Sequence, residues 1–420
     1  MHRTRTSAFS LFSRLAFTRS AFSRSALSRS VFSRSAFPLS ALVLTILAAS
    51  CAKGGSKTSP TSEVKLAQSE HLFGFKTNPL FAGFPIKPSE VLTDRGILIL
   101  SDDSTYRIGR SDGESAAFGY QLGKNGSFSV TLPPPSKNAV APRYSGAFGV
   151  EGSTGIYYFT DRYSTGNTDP VGIYWGTKVV TASADLTGDW HAFTLHTIFA
   201  TGSFLDPDNV GRTASGSIAI DGNGAISGTG VESTKSNLTF SGTAKSFADG
   251  RVDLTIGFKD ATTTDSRVFL GAAAKNIVLG VDEDRTDGES GLLALLRKRT
   301  GRADLSLLEG EYWIGMQTLF VNASRPGSDA AHGTLSLTAK GAFRIEATGA
   351  SGKGFVYSGT YTLADDGKME LQVGGTNEKW FGAVDQDYKT VVILDPVLEQ
   401  RSSGNPELNL GLALRKAVVP

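Results

Sequence analysis

Along most of the chain after residue 95, apolar and polar residues alternate one for one through short stretches. Leu335 and Leu337 are interleaved with Thr334, Ser336 and Thr338, and Met369, Leu371 and Val373 with Lys368, Glu370 and Gln372. Successive side chains of a strand point to opposite faces, so a period of two predicts strands with one buried face. Asn125-Gly126, Asp249-Gly250 and Asp366-Gly367 punctuate such stretches. These dipeptides suit two-residue hairpins, whose type I′ turns need positive φ at both positions. No stretch sustains a helical period. The expected class is all-β and antiparallel.

The stretches recur in one order. LGLALRK (410–416) restates LLALLRK (292–298), and the segments upstream of each match at nearly the same spacing. Lys178, Lys298 and Lys416 close three successive units at intervals of 120 and 118 residues; Gly96, Gly216 and Gly333 open the second segment of each at intervals of 120 and 117. Recurrence at a fixed period marks a repeated unit. The units span 69–180, 185–299 and 304–417, with about eight strands in each. Closing eight antiparallel strands on themselves removes exposed edges. The interior of such a barrel is just filled by side chains, or just holds one small ligand. The expected fold is therefore three tandem antiparallel eight-stranded β-barrel-like repeats. A six-bladed β-propeller uses the same number of strands and is the alternative, although the two halves of a unit do not resemble each other. A unit of this size buries roughly 65% of its unfolded surface, so residues 304–420 are expected to fold alone if they form a barrel.

Gly188-Asp189-Trp190 opens the second unit and Arg297 ends it; Gly310-Glu311-Tyr312 opens the third and Arg415 ends it. This pattern resembles the lipocalin and avidin group, whose barrels open on Gly-x-Trp and place a basic residue near the end of the last strand. The resemblance implies a guanidinium stacked over the Trp190 and Tyr312 rings, worth about 0.5–2 kcal/mol, plugging one end of each barrel. The first unit departs from it, offering Gly74-Phe75 and Lys178.

Residues 1–50 differ from all of this. Arg14, Arg19, Arg24, Arg29 and Arg34 recur every five residues, a period that fits neither a helix face nor a strand face. SALVLTILAASC (40–51) follows, too short for a transmembrane helix but suited to the apolar region of a signal peptide. It ends at Cys51, the one cysteine of the chain. LAASC resembles a bacterial lipoprotein signal, which implies lipidation of Cys51. Ala49 and Ser50 fit, whereas Ala48 stands where leucine is usual. Ordinary cleavage after a small residue is the alternative. Residues 51–68 read as a flexible tether, and Ala52 after the cysteine implies the outer membrane in a diderm cell.

Net charge separates the regions. Residues 1–62 hold nine basic and no acidic residues, while the chain from residue 51 carries 35 basic against 40 acidic. The repeats have no long basic patch, which removes the electrostatic footing for nucleic-acid binding. Candidate chemistry is sparse. His191 and His196 lie five apart on one strand and so on opposite faces, unable to chelate one metal; they and His71 and His332 read as exposed or partly buried structural residues. A cysteine-based zinc site is excluded by composition, and neither a serine nucleophile elbow nor a phosphate-cradling loop occurs. In DEDRTDGES (282–290), Asp282, Asp284 and Asp287 form a calcium candidate, but the third acid comes one residue late for such a loop; a solvated surface loop is expected. Trp175, Trp313 and Trp380 are expected in the core. The inward set of the third unit (Leu335, Leu337, Phe343, Ile345, Met369, Leu371) is apolar, which favours a packed interior over a ligand cavity.

The expected protein is a non-catalytic, lipid-anchored cell-envelope protein without a cofactor. Its role would be structural or surface-binding, with the membrane and an envelope protein or polysaccharide as partners. The alternatives are a carrier of a small hydrophobic ligand, and a propeller enzyme acting on envelope polymers.

Overall fold

The computed structural model describes residues 69–79, 92–100, 105–110, 115–131, 143–149, 154–160, 170–179, 182–198, 211–233, 237–260, 264–282, 289–320, 327–349, 352, 354–396 and 407–417. The first eight strands are β1 (Ser69–Pro79), β2 (Leu92–Leu100), β3 (Thr105–Arg110), β4 (Ser115–Leu122), β5 (Ser127–Thr131), β6 (Arg143–Phe148), β7 (Thr154–Thr160) and β8 (Pro170–Lys178). The next are β9 (Gly188–Ile198), β10 (Gly211–Ile220), β11 (Ala225–Glu232), β12 (Asn237–Ser246), β13 (Arg251–Lys259), β14 (Thr264–Ala274), β15 (Ile277–Asp282) and β16 (Glu289–Arg297). After a single helical turn, α1 (Leu305–Leu308), come β17 (Gly310–Phe320), β18 (Gly327–Leu337), β19 (Ala342–Gly349), β20 (Gly354–Leu363), β21 (Lys368–Val373), β22 (Lys379–Val384), β23 (Thr390–Asp395) and β24 (Glu407–Arg415).

Each set of eight pairs in sequence order and closes on itself. β9 pairs with both β10 and β16, β17 with both β18 and β24, and β1 with both β2 and β8. A propeller blade leaves its outer strands unpaired, so these ladders exclude the propeller alternative. The helical turn α1 was not foreseen. It is capped locally, Asp304 Oδ1 accepting from Ser306 N at 2.8 Å.

The glycine-bearing hairpins differ from the expected type I′ turns. Gly126, Gly250 and Gly367 have φ of 86°, 86° and 93°, but among the described residues only Tyr388 combines a side chain with positive φ. Asn125, Asp249 and Asp366 therefore keep negative φ. Gly126 N donates to Gly123 O, Gly250 N to Phe247 O and Gly367 N to Ala364 O, which makes four-residue turns ending in a left-handed glycine. The Asn or Asp contributes through its side chain, accepting from the backbone two residues on at 3.0–3.2 Å.

One-sided burial holds only where a barrel wall meets solvent. β19 reads exposed–buried in strict alternation. By contrast β15 and β23 are buried at every position. In β16, Leu293 and Leu295 fill the barrel while Leu292, Ala294 and Leu296 join a second cluster outside it. That outer cluster gathers Ile173 and Trp175 of β8, Phe193 and Leu195 of β9, and Leu408, Leu410, Leu412 and Leu414 of β24. It is a core shared between barrels. Strands covered on both faces read as nearly continuous apolar runs, which is why LLALLRK and LGLALRK do not alternate.

The barrels stand side by side in one sense. At the end bearing Arg297 and Arg415, Trp313 Nε1 donates to Asn125 O at 2.9 Å and Gly149 packs against Leu414. At the other end Gly211 lies so close to Leu319 and Leu408 that a Cβ would come within 2.6 Å of the Leu319 methyl. The shared core predicts that the barrels unfold as a unit. Leu410→Ala should cost about 2–5 kcal/mol and lower a single thermal transition. Residues 304–420 expressed alone should self-associate on size exclusion, because the outward leucines of β24 lose their cover.

Candidate functional site

Each of the two better-described barrels has one plugged end. Trp190 is fully buried, its Nε1 donating to Leu186 O at 2.9 Å, and the Arg297 guanidinium sits 4.4 Å from its ring centroid. Arg297 also donates to Thr187 O and Asp185 O, tying down the chain that enters the barrel. The third unit builds the same knot. The Tyr312 hydroxyl lies 2.9 Å from Leu308 O, Arg415 lies 5.7 Å from the ring, and Arg415 donates to Leu307 O and Glu309 O. Burial pushes the Tyr312 phenol far above its ordinary range. In the first unit Lys178 is exposed, and the side chain of Phe75 lies outside the described residues.

A polar clasp joins the plugged ends of the second and third barrels. His191 Nε2 lies 3.0 Å from Asp366 O, and the same carbonyl accepts from Arg299 N at 2.8 Å. Arg299 stacks on Tyr388 at 3.8 Å and donates to Gln386 O at 3.1 Å, while Gln386 Oε1 accepts from Thr300 N at 2.8 Å. Asn276 Nδ2 donates to Asp387 Oδ2 at 3.1 Å. Burial holds the His191 imidazole below its usual value. In the same turn burial lifts the Asp385 carboxyl to about 6, although two backbone amides donate to it.

The opposite ends are polar inside. The last residue of the seventh strand points inward in both barrels: Asp282 is fully buried and Asp395 is 1% exposed. Asp282 accepts from Arg267 Nη1 at 3.1 Å, and Arg267 Nη2 reaches Asp265 at 2.5 Å. Asp395 instead accepts from Asn409 Nδ2 at 3.1 Å, and Thr318 Oγ1 donates to Asn409 Oδ1 at 2.5 Å. Beside Arg267 a cavity of about 40 Å³ is lined by Thr194, His196, Arg212, Glu232 and Phe258. The longer strand connections, 80–91, 132–142, 161–169, 199–210 and 396–406, all join strands at this end, whereas hairpins at the plugged end span two to five residues.

Several expectations are corrected by these positions. Asp282 is not part of a solvated loop; it is the last residue of β15, paired with Phe269 of β14, and its inward carboxylate meets Arg267. Asp284, Asp287 and Cys51 lie outside the described residues, as do His2 and the side chain of His71. His191 and His196 are both buried, on opposite faces as the spacing required, and His332 is half-buried. Trp175 and Trp380 are fully buried, but Trp313 is only partly so, bridging to the first barrel with Lys416 Nζ 4.3 Å over its ring. Arg267, Asp395 and the Tyr388 clasp went unnoticed in the sequence. The aspartate closing GVD (280–282) and ILD (393–395), an acid ending an otherwise apolar strand, is the signal that could have found the first two.

These barrels belong to the all-β, up-and-down antiparallel class. No protein-family model and no curated protein matches the chain. Among solved structures, the vaccine antigen Transferrin Binding Protein B double mutant from Haemophilus parasuis Hp5 is 7% identical over 84% of this chain and 76% of its own, with a TM-score of 0.30. Intact Ap-TbpB, with N and C lobes, is 7% identical over 85% and 79%, at 0.28. Isotype 1 TbpB from serogroup B Neisseria meningitidis is 9% identical over 85% and 78%, at 0.25. Likeness at that level assigns neither a partner nor an activity to this chain.

Two measurements check the electrostatics of the plugged ends. Asp385 has a raised carboxyl in the fold, so its contribution to stability is fully present below about 3.8 and is lost as pH rises through about 6. Asp385→Asn should accordingly raise the melting temperature at pH 7.5, and the gain should vanish by about pH 4. Arg297→Met keeps the apolar stem but removes the guanidinium from the Trp190 ring and from the exposed carbonyls of Asp185 and Thr187; chemical denaturation should show a loss of about 0.5–2 kcal/mol.

Proposed function

We propose that the chain is a non-catalytic, lipid-anchored binding protein of the cell envelope, built by tandem triplication of one lipocalin- or avidin-like barrel. The observation that carries this reading is the polarity of the molecule. β1 begins at Ser69, two residues before His71 pairs with Lys178, on the side where the second and third barrels are plugged, while the longer connections lie opposite. Anchored by acylation of Cys51, the protein would turn the ends bearing its longer connections away from the membrane, outward to a partner. Binding residues concentrate on loops held by a rigid scaffold, and the shared core supplies the scaffold.

The carrier reading is less well supported. Trp190, Phe240, Leu254 and Phe269 fill the second barrel, and Tyr312, Phe343, Leu371 and Trp380 the third, leaving the middle of each to side chains. A carrier needs a cavity of several hundred Å³ to bury an apolar molecule. Candidate partners are a protein or polysaccharide outside the anchoring membrane, and among the described residues no set is placed together for catalysis.

In a bacterial host, cells fed a radiolabelled fatty acid should incorporate label into the wild-type chain and not into Cys51→Ser, with the variant moving from the membrane to the soluble fraction. Unlabelled wild-type protein in the soluble fraction would refute the anchor.

A further inference from the structure

The second barrel grips the third at the turn between β20 and β21, and a histidine makes part of the grip. Trp190 and Ala192 of β9 point into the second barrel, so His191 between them lies on its outer face, where it is 3% exposed. Its Nε2 lies 3.0 Å from Asp366 O, in that turn. A carbonyl oxygen only accepts, so Nε2 carries a hydrogen and donates it. Arg299 N donates to the same oxygen at 2.8 Å, and the Arg299 stem lies so close that a Cβ on Gly367 would come within 2.9 Å of its Cδ. One carbonyl of the third barrel is thus held twice, by a side chain of the second barrel and by the connection between the two.

An imidazole in that position responds to acid. With a hydrogen already on Nε2, a second proton goes to Nδ1 and charges a ring almost wholly removed from water. The charged groups facing it come from both sides of the junction. The Asp366 carboxylate has Oδ2 3.7 Å from Nε2; Lys298 follows β16, and Lys368 opens β21. Within the ladder β10 and β16 set the uncharged Ser217 and Leu296 opposite His191. The Asp366 side chain is 43% exposed, so water screens its attraction, while the two ammonium groups oppose a new positive charge. Burial outweighs the attraction of Asp366 and holds the imidazole below its usual value. A closed junction that discourages a proton is, by linkage, a junction that a proton discourages from closing. The contribution of His191 is fully present above about 6.5 and is lost as pH falls below it.

We propose that the clasp is an acid-operated release: a proton taken up by His191 frees the β20–β21 turn from the second barrel while the apolar core between the barrels stays closed. The charged ring turns to water, Asp366 O loses one of its two donors, and the Arg299 N bond that shared the oxygen opens with it. The core itself does not titrate, because Phe193, Leu195, Leu296, Leu410 and Leu412 carry no ionisable group. Asp385, lifted to about 6, gains stability as pH falls, but its carboxylate accepts from Lys389 N and Thr390 N inside its own turn, so that effect stays within the third barrel. The release goes beyond the binding reading above and holds whether or not Cys51 is acylated.

Amide hydrogen exchange of the full chain, measured at about pH 7.5 and about pH 5 and corrected for the intrinsic rate at each, tests the release. Protection of the segment 298–303 should fall at the lower pH, tenfold for every factor of ten by which closure weakens the hold of the ring on its proton. Segments from β9 and β24 should keep theirs. His191→Gln still donates to Asp366 O but does not titrate, and in it the fall should disappear. Asp366→Asn keeps the backbone carbonyl and removes the carboxylate facing the ring, so the fall should deepen; should His191→Gln not fold, this variant decides. Unchanged protection of 298–303 in the wild type, an equal fall in His191→Gln, a fall no deeper in Asp366→Asn, or loss of protection in β9 and β24 alongside it would overturn the proposal.

Discussion

Burial of strand surface on both faces is the constraint on which the molecule depends. A barrel standing alone needs apolar side chains only inside, because water satisfies its outer wall. Here part of each wall lies against a neighbour, and alternate residues of β16 and β24 must serve two different cores: Leu293, Leu295 and Ala413 inside the barrels, and Leu292, Leu296, Leu408, Leu410, Leu412 and Leu414 between them. Each such side chain, moved from water to full cover, is worth about 1.5–3 kcal/mol, so the shared layer weighs as heavily as an ordinary domain interior. It also fixes orientation. Because the outward faces of the last strands meet, the three cylinders run in the same sense, and their two kinds of end separate onto opposite faces of the protein.

That separation divides the labour between the faces. The plugged face is knotted by Arg297 and Arg415, clasped by the Arg299–Tyr388 stack, and bounded by short turns whose glycine carbonyls accept from the next strand, as Gly250 O does from Ala273 N. The opposite face carries buried charge. Placing Asp282 and Arg267 inside a barrel costs desolvation that their mutual attraction repays only with good geometry, so such pairs specify an arrangement more than they stabilise it.

Much of this architecture was legible in the residues, and the illegible part has a physical cause. Alternation located the strands, the spacing of Lys178, Lys298 and Lys416 located the units, and the Gly-x-aromatic openings pointed to the plugs. Alternation, however, records which face of a strand is buried, not what covers it. The outward leucines of β24 therefore looked like ordinary strand composition until their cover was visible. Turn type was misjudged because Asp-Gly suits two geometries, and the choice follows from strand twist and the next ladder, which a dipeptide does not encode. Arg267 and Asp282 are fifteen residues apart and meet only through the register of β14 and β15. Trp313 followed the strand pattern yet reaches across to Asn125, a contact no local pattern contains.

The place where the N-terminal segment joins the first barrel has a mechanical consequence. β1 is bonded along nine residue pairs to β2 on one side and nine to β8 on the other, and it is entered from its Ser69 terminus. A tug on that segment, resisted by something gripping the far rim, runs parallel to the strand. All the backbone bonds of both seams are then strained together in shear, not opened one after another like a zip. The joint is strongest along the axis from tether to rim, and weakest to a sideways peel.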